Sequence, residues 1–170
     1  AVAAPSMSSD LGFDAATMGL LFSAFAWSYG LMQIPGGWLL ECFGSRVSYT
    51  VSLFLWSAFT VAMGFGKSFA SLFGIRLAIG AAEAPAFPTN SRVVAAWFPD
   101  KERATATSIY TAGEFIGLAF LTPVLFWVLE NYGWQEIFYL TGGIGIMACL
   151  GWHYLYRDPA ECTDVNQGEL

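Results

Sequence analysis

Charge is what this chain of 170 residues has least of: 12% of it is Asp, Glu, Lys or Arg, about half the share of an ordinary soluble domain. That scarcity excludes a surface built for water. Seven residues are Lys or Arg against 13 acidic ones, and a net charge of −6 leaves no basic stripe to track a nucleic acid backbone. One histidine and three cysteines, without paired spacing, supply neither a metal cluster nor a disulfide framework. Cys42, Cys149 and Cys162 therefore read as free thiols. No nucleophile, base and orienting group fall into a recognisable set, and no phosphate loop is present, so neither an enzyme nor a cofactor is expected. The opening AVAAP could mimic a signal cleavage site, but a truncated first helix is the expectation.

What the chain has instead is apolar length: 56% of it is hydrophobic and 17% aromatic. A helix needs about 20 apolar residues to cross the hydrocarbon core. Residues 15–40 and 47–66 carry no charge and meet that length. Residues 71–98, 104–129 and 137–156 meet it too, although the first holds Arg76, Glu83 and Arg92 and the second holds Glu114. The expected fold class is an all-α membrane protein, a six-helix transmembrane bundle whose first helix is a stub, AVAAPSM, of which most would precede Ala1.

Cytoplasmic loops carry the excess of Lys and Arg. Alternate connections hold Arg46, then Lys101 and Arg103, then Arg157, whereas the opposite ones hold only Lys67. The start of the chain is thus expected outside and its tail inside. Residues 1–156 read as one bundle, and the polar run RDPAECTDVNQGEL (157–170), with its helix-breaking Pro159, as the start of a cytoplasmic linker. Trp38, Trp97, Trp134 and Trp152 lie near span ends, where they read as interfacial anchors, and His153 as an interfacial histidine.

Ionisable groups at membrane depth cost roughly 2.5 to 3.5 kcal/mol each on insertion scales, so they usually line a cavity or a substrate path. Arg76, Glu83 and Asn90 recur at i, i+7 and i+14, on one helix face at about 10.5 Å intervals. Arg76 points away from Glu83 because helical side chains lean toward the N-terminus. Its planar fork suits a carboxylate, with an interhelical ion pair as the alternative. Glu83, followed by Pro85 and Pro88, which remove two backbone donors, is the candidate proton-coupling group. Glu114 lies mid-span without a neighbouring base and is expected to face the same cavity. Gly113 and Gly117 form a G-x-x-x-G step that reads as close helix packing. Tyr29 and Gln33, at i and i+4, could reach a polyhydroxylated ligand, although Gln33 reads equally as structural.

At GGWLLECFGSR (36–46) the chain resembles the loop between helices two and three of the major facilitator superfamily, G-x-L-a-D-r-x-G-r. Gly37, Glu41, Gly44 and Arg46 are the corresponding gating-loop candidates, with Glu41 standing where Asp is usual and Cys42 where Arg is frequent. RLAIG resembles the fourth-helix signature. SAFAWSYGLMQIPGGWLL, EAPAFPTNSRVVAAWFPDKERATA and GLAFLTP resemble the anion:cation symporter branch, especially its bacterial carriers of D-galactonate and hexuronates. The resemblance covers essentially all 170 residues. It implies the N-terminal half of a twelve-helix transporter, built from two three-helix inverted repeats and completed by a C-terminal half. It further implies proton-coupled symport of organic anions across a bacterial inner membrane by alternating access. The position of Glu83 is there tied to proton coupling, and those of Tyr29, Arg76 and Glu114 to the sugar acid. Glutamine is expected at the last position in galactonate-like members, so Glu114 is a departure. The family's first-helix Asp-Arg pair would fall just before Ala1. The rival readings are a sugar-phosphate or other organic-anion exchanger without proton coupling, a polytopic membrane enzyme, and a non-transporting sensor on the same fold.

Overall fold

A computed structural model describes residues 2–158, so Pro159, Cys162 and most of the expected linker lie outside the described residues. All regular structure among them is helical: α1 (Ala4–Leu11), α2 (Ala15–Met63), α3 (Phe69–Glu83), α4 (Ala86–Trp97), α5 (Asp100–Tyr132) and α6 (Trp134–Leu155).

Local chemistry sets most boundaries. Gly12 ends α1 at φ 67, a left-handed conformation natural to glycine. Asp14 then caps α2, accepting from the Thr17 backbone N–H at 2.8 Å. Ser68 and Ser71 form a reciprocal capping box at the start of α3. Asp100 and Glu102 place negative charge in the first turn of α5, where the helix dipole favours it.

The expected inner loop at 44–46 is shorter than anticipated. Helical structure runs on both sides of one non-helical residue, Gly44 (φ 75, ψ 172), which folds α2 into two arms, 15–43 and 45–63. A glycine is the residue for which that φ costs least. The expected fourth span is also modified. It breaks after Glu83 and resumes at Ala86, with Pro85 as the N-cap residue of α4, because a proline has no N–H to extend the ladder. Three helical stretches, Ala15–Met63, Phe69–Trp97 and Asp100–Tyr132, have the length and composition to cross a membrane. The first contributes two arms, and α6 adds 22 residues, about 33 Å of helix.

α2 is the hub of the bundle, packing chiefly on α3 and α6 and less on α4, while α5 lies against α4 and α6. The apolar core gathers at the expected outer end, where Met7, Met18, Leu21, Met63, Leu72, Val128, Trp134 and Ile137 are buried together. Trp134 corrects the expectation of an interfacial anchor. It is 2% exposed and donates its indole N–H to Asp10 at 3.0 Å, tying α6 to α1. Trp38 and Trp97 do face outward. Gly113 and Gly117 also differ from expectation: a methyl group on either would meet nothing within 4 Å, so the described residues supply no packing partner for that step. Cys42 is an exposed and Cys149 a buried free thiol.

At the expected inner end, arginines close helix C-termini. Arg46 donates through Nε and Nη2 to the His153 carbonyl in α6 at 3.2 and 2.8 Å. Arg92 donates to the Leu40 carbonyl at 3.1 Å, and Arg103 to the carbonyls of Ala95 and Phe98 at 3.0 and 3.1 Å. Each places positive charge where the helix dipole is negative and satisfies a carbonyl in the last turns of a helix or arm.

Candidate functional site

The break in the fourth span positions the site. Pro85 packs against Gly36 of α2, where an added methyl would stand 3.1 Å from the proline nitrogen. Its carbonyl accepts from the Thr89 N–H at 3.1 Å and from the Thr89 hydroxyl at 2.7 Å. The start of α4 is thereby seated against α2, with Glu83 as the last residue of α3.

Below this break lies a cavity of about 1010 Å³. Every helix except α1 contributes to its wall: Tyr29 from the first arm of α2, Tyr49 and Trp56 from the second, Glu83 from α3, Asn90 from α4, Glu114 from α5 and Trp152 from α6. It extends to Phe98 and Glu102, at the expected inner end. Glu83 and Asn90 are half-buried, and Glu114 is exposed on the open wall formed by α5.

The cavity therefore brings together Tyr29, Glu83, Asn90 and Glu114. Arg76 and Gln33 are not on its wall. Arg76 sits two turns before Glu83 on α3, with its guanidinium carbon 5.1 Å from the centre of the Phe22 ring. That is within cation–π range. Its Nε is buried without a partner among the described residues, and no acidic side chain among them pairs with it. Gln33 is half-buried in the first arm, near the expected inner end. Of the gating-loop candidates, Gly37 is half-buried and Glu41 exposed. Gly44 makes the fold-back, and Arg46 holds the end of α6. Arg46 also donates its backbone N–H to Asp158 at 3.3 Å.

Sequence reasoning missed the aromatic side of the site. Tyr49 packs between Trp56 (ring centres 6.2 Å apart) and Trp152 (4.5 Å), and Trp152 in turn stacks on Tyr156 at 4.2 Å. Trp152 is thus part of the cavity wall rather than an interfacial anchor. A signal existed, because Tyr49 and Trp56 are seven residues apart and share a helix face. It was hidden by the aromatic abundance of the whole chain.

The chemistry of the wall is one-sided. Three carboxyl groups, Glu83, Glu102 and Glu114, line the cavity together with phenols and an amide, and among the described residues no Lys, Arg or His does. The described wall binds hydroxyl groups readily and admits a negative charge only when its own carboxyl groups are neutralised or a cation is supplied from outside it.

Comparison with known proteins accords with this architecture. The sequence profile of the Major Facilitator Superfamily matches residues 1–169. The chain is 49% identical over 170 residues to a D-galactonate transporter of Escherichia coli, all of this chain against 40% of that protein. It is 42% identical over 175 residues to a probable galactarate/D-glucarate transporter of Escherichia coli (99% of this chain, 39% of that protein). A probable galactarate/D-glucarate transporter of Bacillus subtilis is 40% identical over 171 residues (97% and 38%). The chain thus spans about two fifths of the length of these relatives. Among solved structures, a bacterial homologue of the human lysosomal transporter Spinster, inward-facing and unoccupied, superposes with a TM-score of 0.78 at 25% identity, over 93% of this chain and 39% of that one.

Proposed function

This chain belongs to the Major Facilitator Superfamily, and from that premise we propose that it forms the N-terminal part of a proton-coupled symporter of organic anions, sugar acids such as aldonates or hexuronates. The observation that carries the reading is the cavity in which Glu83 and Glu114 stand with Tyr29 and Asn90 and, among the described residues, without a base. An acidic cavity takes up an anion at least cost when a proton arrives with it, which is the thermodynamic content of symport. Glu83, beside the proline break, is the coupling group. Tyr29, Asn90 and Glu114 contact substrate hydroxyls, and Gln33 takes part from the inner end of the path.

Arg76 is the anion anchor at the outer end of that path. It is half-buried, its Nε has no partner among the described residues, and its fork matches a carboxylate. The names of the relatives support the substrate class, since they include D-galactonate and galactarate/D-glucarate transporters. Transport proceeds by alternating access, and a cavity reaching Phe98 and Glu102 suits the inward-open stage. Gly37, Glu41, Gly44 and Arg46 belong to the inner gate. A second, C-terminal half completes the site, residues 157–170 begin the linker toward it, and the protein resides in a bacterial inner membrane with its start outside.

The test is uptake by the full-length protein in proteoliposomes. Accumulation of D-galactonate or D-glucarate against its own gradient, driven by an imposed pH gradient, is the expected result. Counterflow exchange without pH-driven accumulation would replace symport by exchange. Neither uptake nor exchange of any sugar acid would overturn the reading.

A further inference from the structure

Tyr49 belongs to none of the charged or motif residues through which the site was first recognised. Its ring contacts those of Trp56 and Trp152, which restrict its turning. It lines the cavity with Glu83 and Asn90. Among the described residues its hydroxyl has no hydrogen-bond partner. The neighbouring Trp152 Nε1 is buried and equally unpartnered, so it gives the phenol nothing.

A phenol that keeps access to a cavity, as that of Tyr49 does, bonds water until a ligand hydroxyl takes its place. Among the described residues it has no partner, and Tyr49 lines the space assigned to the ligand. We infer that Tyr49 is a further specificity-determining residue, whose hydroxyl bonds one hydroxyl group of a polyhydroxylated carboxylate held in the cavity. The inference rests on the reading that the cavity binds a sugar acid. It adds how chain hydroxylation is sensed: the two tryptophans restrict the ring, and the phenol reads one carbon of the substrate.

Tyr49→Phe keeps the ring between its two tryptophans and removes only the oxygen. Calorimetry on the full-length protein would compare wild type and Tyr49→Phe with D-galactonate and with its mono-deoxy analogues, each lacking one hydroxyl. The variant is expected to bind D-galactonate about 5- to 10-fold more weakly, the worth of one neutral hydrogen bond. It is expected to bind one deoxy analogue as well as wild type does, because there the partner hydroxyl is already missing. Equal affinity of the two proteins for D-galactonate overturns the inference. So does a loss of the same size for every analogue, and a lowered melting temperature of the unliganded variant would then identify a structural role. If wild type binds no sugar acid, the proposed function and this inference fall together; if wild type binds and the variant is unaffected, the inference falls alone.

Discussion

Gly80 of α3 lies directly against Ser28 of α2, so close that a methyl group on Gly80 would collide with the Ser28 hydroxyl and the Phe25 carbonyl. The contact sits one turn before the proline break and sets the depth at which α3 enters the bundle. Gly80→Ala should therefore lower stability by about 1–3 kcal/mol, the range for overpacking a tight contact. Gly74→Ala, on the same helix with nothing within 4 Å, should be neutral or slightly stabilising. Thermal unfolding of the two variants in detergent checks both. Equal melting points would show that the α2–α3 contact yields easily.

Arg76 is expected to respond to its shape as well as its charge. Arg76→Lys keeps the cation but loses the fork, so D-galactonate affinity should fall at least tenfold. Binding at wild-type affinity in Arg76→Ala would assign Arg76 to packing on Phe22 instead.

For Glu83 the diagnostic is a separation of two transport modes. Glu83→Gln should abolish accumulation driven by a pH gradient while leaving counterflow exchange measurable, since an amide keeps the shape of the group and carries no titratable proton. Uphill uptake at the normal rate by this variant would remove Glu83 from the coupling role.

Glu114 and an anionic substrate would repel each other in a shared cavity if both were charged. Glu114→Gln keeps a hydrogen-bond donor and carries no charge, so it should retain or strengthen D-galactonate binding. The readout is calorimetry on the two proteins. Loss of binding with the fold intact would make Glu114 an obligate anion and favour a zwitterionic substrate.

Asp14 carries a pH dependence outside the membrane. Hydrogen bonding from Thr17, side chain and backbone, holds its carboxyl below the usual aspartate range. A depressed folded-state value means that the cap contributes fully above the unfolded value, about 3.9, and is lost as pH falls through the lower folded value. Asp14→Ala should thus reduce the melting temperature at pH 7 by more than at pH 2. Asp14→Asn, which still caps, should differ little from wild type at either pH.

The sequence by itself determined the class of molecule. Uncharged runs of about 20 residues leave few alternatives to membrane helices, because an unpaired backbone cannot be solvated in hydrocarbon. Glu83 and Glu114 were legible for the same reason: an ionisable group in such a run is costly enough to stand out. Caps at Asp14 and Ser68 and the fold-back at Gly44 follow from local chemistry acting over a few residues. What only the tertiary structure decided is which side chains share space. Arg76 lies on the same idealised helix face as Glu83 and Asn90, yet it stands two turns outward of Glu83 on α3, against Phe22 and off the cavity wall. Gly113 and Gly117 carry a packing motif that the described helices do not use, and Trp134 and Trp152 lie near span ends but turn inward. Tyr49 was hidden because in a chain this aromatic every tyrosine looks alike; its contact with Trp56 and Trp152 joins residues 49 and 152, a relation that helical periodicity does not encode.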